Sequence, residues 1–407
     1  MPDFDSELRR ELESTRDAGL LRELRRVDSA QGPRIEIAGR TLLNFSSNDY
    51  LGLANHPALK EAAIKAVEKF GAGAGASRLI CGSLAPHHEL EETLAHFKAT
   101  EAAISFSTGY AAALGTICSL VGKDDVVVLD KLVHASIVDA ARLSGAKLRI
   151  FAHNDCEDLE SKLKWARDVQ GPKSKIQSRA PRVLVITESV FSMDGDLAPL
   201  RDVVELKDRY GAWLMVDEAH ATGLFGSRRR GLAEACELAG RIEVQMGTLG
   251  KALGASGGYV CGTRCLIDLL INRARSFIFS TAPVPAAAAA ARAGIELLQS
   301  TEGEERRVAA WALVDQLKNA LVGGPWKLPV VQSAIVPLII GGETEAVRVA
   351  ARLRKRGIFV PAIRYPTVAR GGARLRVTVT AAHTADDVRE LSNALNGGSP
   401  ASTHGSS

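Results

Sequence analysis

Seven short apolar runs through the middle of the chain set the tightest limit on its fold. They are 102–107 "AAISFS", 125–130 "DVVVLD", 147–151 "KLRIF", 182–188 "RVLVITE", 212–217 "AWLMVD", 243–248 "EVQMGT" and 257–262 "GGYVCG". Most are continuous rather than alternating, which is the pattern of strands covered by helices on both faces. Helical stretches separate several of them. That order predicts an α/β domain built around a largely parallel sheet.

The flanks read differently. The first 30 residues place leucines at helical spacing among charges, which predicts an amphipathic helix. "RIEIAGRTLLNFSS" reads as a short strand pair around a glycine turn, and "HPALKEAAIKAVEKFG" as a helix closed by Gly71. A helix over 285–320 leads to a second unit. Strands at 333–340, 357–361 and 374–380 and helices at 344–356 and 384–396 make that unit a smaller α+β domain. The expected division is 1–45 for the N-terminal helix and strand pair, 46–290 for the large domain and 291–396 for the small one. The polar tail 397–407 is expected to be unstructured.

Composition removes several function classes. The 407 residues hold 51 basic and 47 acidic side chains, mixed along the chain, so no nucleic-acid surface is expected. "SRRRG" at 227–231 is the one tight basic cluster and reads as a solvated loop. Six cysteines, at 81, 118, 156, 236, 261 and 265, form no C-x-x-C pair, so free thiols in a reducing cytoplasm are expected and no metal site. The charged N-terminus lacks an apolar signal core, and Arg292 stops the alanine run at 286–291, so no membrane segment is expected.

The chemistry gathers at strand ends, where open α/β sheets bind ligands. Five runs end in polar residues: "STGY", "DKLVH", "TESVFSMDGD", "DEAH" and "TLGK". Asp217 ends "AWLMV", where a carboxylate needs a cation or donors; it could equally cap the next helix. Glu188, His134 and His220 also have plain structural readings. Lys251 is sharper. It is the only charged residue between Glu243 and Arg264, in a turn of small residues. An amine in such a pocket sheds its charge readily and can form a Schiff base. The backbone amides where "STGYAAALG" (107–115) opens a helix can bind a phosphate. Two rival motifs do not fit. "GASGG" (254–258) matches a hydrolase elbow but precedes a strand rather than a helix. "GAGAGASR" (71–78) follows a helix and lacks the spacing of a dinucleotide loop. A Schiff-base lysine, a strand-end acid and a phosphate-binding helix start are together what pyridoxal 5'-phosphate requires.

At this point the sequence resembles a known family. "NFSSNDYLGL" (44–53), "SRLICG" (77–82), "HASIVDAARLSGA" (134–146), "TESVFSMDGDLAPL" (187–200), "VDEAHATGLFG" (216–226), "GTLGKALGASGG" (247–258) and "ARLRVTVTAAHT" (373–384) are similar to the α-oxoamine synthases. The resemblance runs in order from about residue 20 to 395. It implies a pyridoxal-phosphate transferase of fold type I, a cytoplasmic homodimer with shared active sites. "FAHND" (151–155), "SMDGD" and "AIRYPTV" (362–368) are most similar to the branch that serves biotin synthesis. That branch joins L-alanine to a pimeloyl thioester carried by coenzyme A or acyl-carrier protein. A sister branch using glycine and acetyl-CoA is the alternative, and a plain aminotransferase a remoter one.

The resemblance also implies residue roles. Lys251 would hold the cofactor covalently, Asp217 its ring nitrogen and His220 its phenolic oxygen, while His134 would stack on the ring and meet substrate. Gly109 and Tyr110 would lie at the phosphate, with Glu188, Ser192 and Thr248 adding cofactor contacts. Asn48 and Arg376 would meet the amino acid or product carboxylate, Thr367 would contact substrate, and Arg22 would bind the acyl substrate. Ser280 and Thr281 would reach the phosphate of the neighbouring subunit. One departure stands out: family members often have asparagine at the position of Ala113.

Overall fold

The computed structural model describes residues 3–169, 180–326 and 328–397. Two compact units emerge. Among the described residues, 48–169, 180–192 and 196–308 form the larger, and 3–47, 193–195, 309–326 and 328–397 the smaller. The tail from 398, expected to be unstructured, lies outside the described residues.

The chain opens with α1 (Phe4–Asp17), β1 (Arg34–Ile37) and β2 (Arg40–Asn44). The larger unit begins with α2 (Pro57–Phe70), α3 (Ala85–Lys98), β3 (Ala102–Phe106), α4 (Gly109–Leu120), β4 (Val126–Asp130), α5 (Ala135–Leu143) and β5 (Lys147–Phe151). It continues with α6 (Cys156–Val169), β6 (Val183–Glu188), α7 (Leu200–Arg209), β7 (Trp213–Asp217), α8 (Leu232–Ala235), β8 (Val244–Thr248) and β9 (Gly258–Gly262). Then come α9 (Arg264–Arg273), α10 (Arg275–Ile278), α11 (Pro285–Gln299) and α12 (Thr301–Leu321), which runs into the smaller unit. The smaller unit closes with β10 (Ile335–Gly341), α13 (Glu343–Lys355), β11 (Ile358–Phe359), β12 (Ala362–Ile363), β13 (Ala373–Thr378) and α14 (Ala385–Asn396).

All seven apolar runs form one sheet, in the order β3-β9-β8-β7-β6-β4-β5. Only β9 runs antiparallel to its neighbours. β3, β4, β6 and β9 are buried along their whole length, whereas β5 exposes Lys147 at the sheet's edge. Charged side chains on an edge strand discourage pairing with other chains. One face of the sheet packs on α4 and α5 through Ala112, Ala113, Ile117, Ile137, Ala140 and Ala141. Each large side chain buried there contributes roughly 1.5–3 kcal/mol. Because the strands are parallel, the polar ends of β3, β4, β6, β7 and β8 meet at one edge. No helix among the described residues is long and apolar enough to cross a membrane.

The smaller unit holds two three-stranded sheets, β1-β2-β11 and β10-β13-β12. β2 pairs in parallel with β11 through Leu43–Ile358 and Asn44–Phe359. That pairing groups the N-terminal strand pair with the C-terminal strands instead of leaving it apart.

Two expectations need correction. The N-terminal helix stops at Asp17 and buries no residue. Its last turn closes when the Ala18 amide donates to Ser14 and the Gly19 amide to Arg16, so Arg22 lies on non-helical chain. The helix expected over 285–320 is two helices, α11 and α12. Ser300 breaks it by adopting an extended conformation, and its hydroxyl accepts from the Gly303 amide as a helix cap does.

α3 carries an ion pair with no solvent access. Lys98 Nζ donates to Glu218 Oε2 at 2.6 Å, and the two side chains are 0% and 1% exposed. Nζ also donates to Thr222 Oγ1 at 3.3 Å and to the Arg230 carbonyl, and Glu218 Oε1 accepts from the Ala233 amide at 2.8 Å. Burial alone would lower the Lys98 pKa; Glu218 outweighs it and holds the amine above its ordinary value. Removing one member strands the other charge in the core. Glu218→Gln should therefore lose about 3–5 kcal/mol of unfolding free energy in urea. A loss below about 1 kcal/mol would show the pair to be dispensable.

Candidate active site

The site begins with strand register. Glu188 ends β6 and Asp217 ends β7, and the two are register partners. Glu188 is 2% and Asp217 7% exposed. Two carboxylates side by side without water cannot both ionise cheaply. Burial raises the Glu188 pKa first and the charge of Asp217 raises it further, while Lys251 opposes. Burial likewise raises Asp217, against Lys251 and the Ala219 amide. That amide donates to Asp217 Oδ1 at 2.9 Å.

Lys251 reaches this pair from the loop between β8 and β9. The Gly254 amide donates to the Lys251 carbonyl at 2.9 Å, tightening the turn. Gly254 has φ +67°, and a Cβ there would lie 2.6 Å from the Leu53 carbonyl carbon, so no other residue fits. Lys251 Nζ is 2.8 Å from His220 Nε2. His220 Nδ1 is 2.6 Å from the hydroxyl of Tyr50, which is fully buried. If Tyr50 donates to Nδ1, Nε2 carries the ring proton and donates to the lone pair of Lys251. The Tyr50 hydroxyl also lies 3.4 Å from Asn48 Oδ1, which links Asn48 to this chain.

His134 stands one turn beyond β4. Its amide donates to Glu188 Oε1, and its Nδ1 is 2.8 Å from Ser136 Oγ. The imidazole is exposed to solvent but crowded by protein. That crowding lowers its pKa; Asp217 raises it and Lys251 lowers it further. Ser192 gives its backbone N–H to Glu188.

The end of β3 runs into α4. Thr108 caps that helix by accepting from the Ala111 amide at 3.0 Å. The amides of Gly109 and Tyr110 belong to the opening turn, which has no acceptors within the helix. A Cβ on Gly109 would lie 2.6 Å from Thr248 Cγ2, so β8 and the helix start touch. Thr248 Oγ1 is buried with no hydrogen-bond partner. An orphaned hydroxyl at a helix start, beside an amine and a raised carboxylate pair, suits a ligand with an anionic group, a carbonyl and a protonated ring nitrogen. Pyridoxal phosphate has all three. Tyr110, 47% exposed, donates its hydroxyl to Asp139 Oδ2 at 2.9 Å.

The structure thus groups Lys251, His220, Asp217, Glu188, His134, Ser192, Thr248, Gly109 and Tyr110 at one sheet edge. Ser280 and Thr281 are built into a different recess, which they line with Arg78, Ser105 and Ser107; Thr281 bridges to Ser77. In the smaller unit, Arg22 and Thr367 line one cavity of about 310 Å³. Arg376 is buried on β13, opposite Pro337. Sequence reasoning missed Tyr50 and Ser136, which orient the two histidines. Ser136 could have been read from its spacing two residues after His134, whereas nothing local marks Tyr50.

A family model described as aminotransferase class I and II matches residues 40–395. The chain belongs to that family. It is 48% identical over 387 residues to the 8-amino-7-oxononanoate synthase of Geobacter sulfurreducens, covering 95% of this chain and 96% of that one. It is 46% identical over 385 residues to the enzyme of the same name from Geotalea daltonii, covering 95% of each. Among solved structures, a serine palmitoyltransferase variant from S. paucimobilis with bound PLP–myriocin aldimine superposes with TM-score 0.88 at 31% identity, covering 97% of this chain and 98% of that one. The 8-amino-7-oxononanoate synthase of Francisella tularensis superposes with TM-score 0.71 at 27% identity, covering 88% and 97%.

The raised carboxylates make the apoprotein sensitive to pH. A native carboxyl whose pKa is raised binds its proton more tightly than the unfolded chain does, so stability falls as pH rises from about 4 through the native values. Glu188→Gln keeps an acceptor for the His134 amide but removes this ionisation. Between pH 4 and 8 it should lose less stability than the wild type, by about 1–2 kcal/mol in urea unfolding of the apoprotein. Parallel curves would show that Glu188 ionises without cost.

Proposed function

We propose that this enzyme condenses L-alanine with a pimeloyl thioester to give 8-amino-7-oxononanoate, carbon dioxide and free thiol, with pyridoxal phosphate as its cofactor. The observation that carries the cofactor is Lys251 Nζ held 2.8 Å from His220 beside the buried Glu188–Asp217 pair. The substrates rest on full-length relatives of that name at 46–48% identity.

When bound, pyridoxal phosphate supplies a ring that accepts the electron pair left when a bond to the amino acid's Cα breaks. The protein's part is to place groups around that bond. Lys251 would hold the cofactor through Nζ, and its free amine would take the Cα proton of bound alanine and later return one. Tyr50 fixes the tautomer of His220, which orients Nζ. Asp217 keeps a proton on the ring nitrogen, an ion pair that relieves the strained carboxylates. His134 covers the ring. The Gly109 and Tyr110 amides, with Thr248, hold the phosphate, and Ser192 adds a hydrogen bond. Asn48 and Arg376 take the alanine carboxylate, for which a forked guanidinium is well shaped. Arg22 and Thr367 hold the acyl substrate. Ser280 and Thr281 serve the phosphate of a second copy in a cytoplasmic homodimer.

The test is thiol release by cofactor-loaded protein given pimeloyl-CoA. Release with L-alanine and not with glycine is expected; release only with glycine and acetyl-CoA would overturn the substrate assignment. Lys251→Ala should abolish release while far-UV circular dichroism stays that of the wild type. Near-normal turnover in that variant would sink the role of Lys251.

A further inference from the structure

"FAHND" (151–155) takes no part in the chemistry above, yet its histidine lies between two carboxylates. His153 Nδ1 is 3.0 Å from Asp130 Oδ1, and Nε2 is 2.7 Å from Asp196 Oδ2. Ionised carboxylate oxygens only accept hydrogen bonds, so the ring donates from both nitrogens and is an imidazolium. Burial lowers its pKa, but the hydrogen bonds and charges of Asp130 and Asp196 outweigh that and push it up to about 10. The Phe191 ring packs against it edge-on at 4.3 Å.

Each carboxylate fixes a different loop. Asp130 ends β4 and accepts from the Leu132 amide at 2.8 Å, and that turn runs directly into His134. Its other oxygen accepts from the Asn154 amide at 2.9 Å. Asp196 lies on the chain returning from Ser192. The Phe191 amide donates to the Asp196 carbonyl at 3.0 Å, and Val190 bridges to Leu197. Asn154 adds side-chain bonds to the Asp196 carboxylate at 2.9 Å and the Leu197 carbonyl at 3.0 Å. On the inner side, Glu188 accepts the backbone N–H of both His134 and Ser192.

His134 and Ser192 are therefore gripped twice: by Glu188 through their own amides, and by His153 through the loops behind them. We propose that His153 is a positioning residue that sets the spacing of His134 and Ser192 for the bound cofactor. This rests on the reading of those two residues as cofactor contacts. His153 itself touches neither cofactor nor substrate; it acts by tying the turn after β4 to the 190–197 segment. Glu188 holds only the two amides; Asn154 also joins the loops through Asp130, Asp196 and Leu197, and His153 adds the charged bridge between the two carboxylates.

The test uses cofactor-loaded His153→Gln, which removes the positive charge and the two opposite ring donors that span Asp130 and Asp196. Because this leaves buried Asp130 charged without its partner, the double variant His153→Gln/Asp130→Asn keeps the experiment informative if the single one folds poorly. The readouts are the visible circular dichroism of the bound cofactor, cofactor affinity, and kcat against KM. We expect an altered visible band, cofactor binding weaker by roughly tenfold, and kcat lower by roughly 10- to 100-fold with the KM for alanine changed less than about threefold. A folded variant with the wild-type band and affinity overturns the proposal. A drop in thermal stability with those readouts unchanged overturns it too, since His153 is then only structural. Should the wild type release no thiol from pimeloyl-CoA, the substrate reading fails, and the dichroism and affinity still decide the role of His153.

Discussion

Glu188 and Asp217 face each other at the ends of two adjacent parallel strands, and the rest of the site is arranged around that contact. The sheet forces it. Once β6 and β7 pair in register with their apolar runs buried, their terminal carboxylates are brought together with almost no water. Such a pair is costly unless cations and donors surround it. Lys251, the Ala219 amide and the amides of His134 and Ser192 do so. Each compensating group arrives on a loop, and Lys251, His134 and Ser192 are also residues that the proposed chemistry uses. The electrostatic need of the fold and the placement of the site are thus one arrangement.

Most of the strands were legible because both faces are buried, so apolar character alone marks them; the edge strand β5 is the exception. Lys251 was legible for a related reason, since a lone charge among small residues stands out. The N-terminal helix was overread because Leu20, Leu21 and Leu24 keep the helical spacing beyond Asp17, although the last turn has already closed at Gly19. The break at Ser300 was hidden because the alanine-rich and charged stretches on either side both favour helix. Tyr50 was missed because its role exists only through His220, 170 residues away in sequence. Pairings of that kind follow from packing and leave no local pattern. The roles given to Ser280 and Thr281 came from resemblance alone, and no contact within one chain could have announced them.

A division of labour runs through the larger unit. Strands fix the acids, since register cannot slip without turning every buried side chain to the wrong face. Loops carry the bases and donors, and each loop is anchored where it leaves the sheet. The Lys251 turn is held by close backbone packing at Gly254, and the His134 turn by Asp130. Glu218, next in sequence to Asp217, is neutralised by the buried Lys98, so the acid beside the site has a cation of its own.

Ala113 shows what this arrangement tolerates. Where relatives of the resembling family often carry asparagine, this chain has a fully buried alanine packed in the apolar cluster between α4 and the sheet. A polar side chain in that cluster would need a partner of its own. The alanine needs none, and the opening turn of α4 is capped by Thr108 independently of it. Anion binding at a helix start draws on backbone amides and the helix dipole, which the side chain four residues further on does not supply. Thr248 Oγ1, which lacks any partner, lies against that same helix start and is untouched by the difference at Ala113. An asparagine-to-alanine difference inside the helix is therefore compatible with the same chemistry.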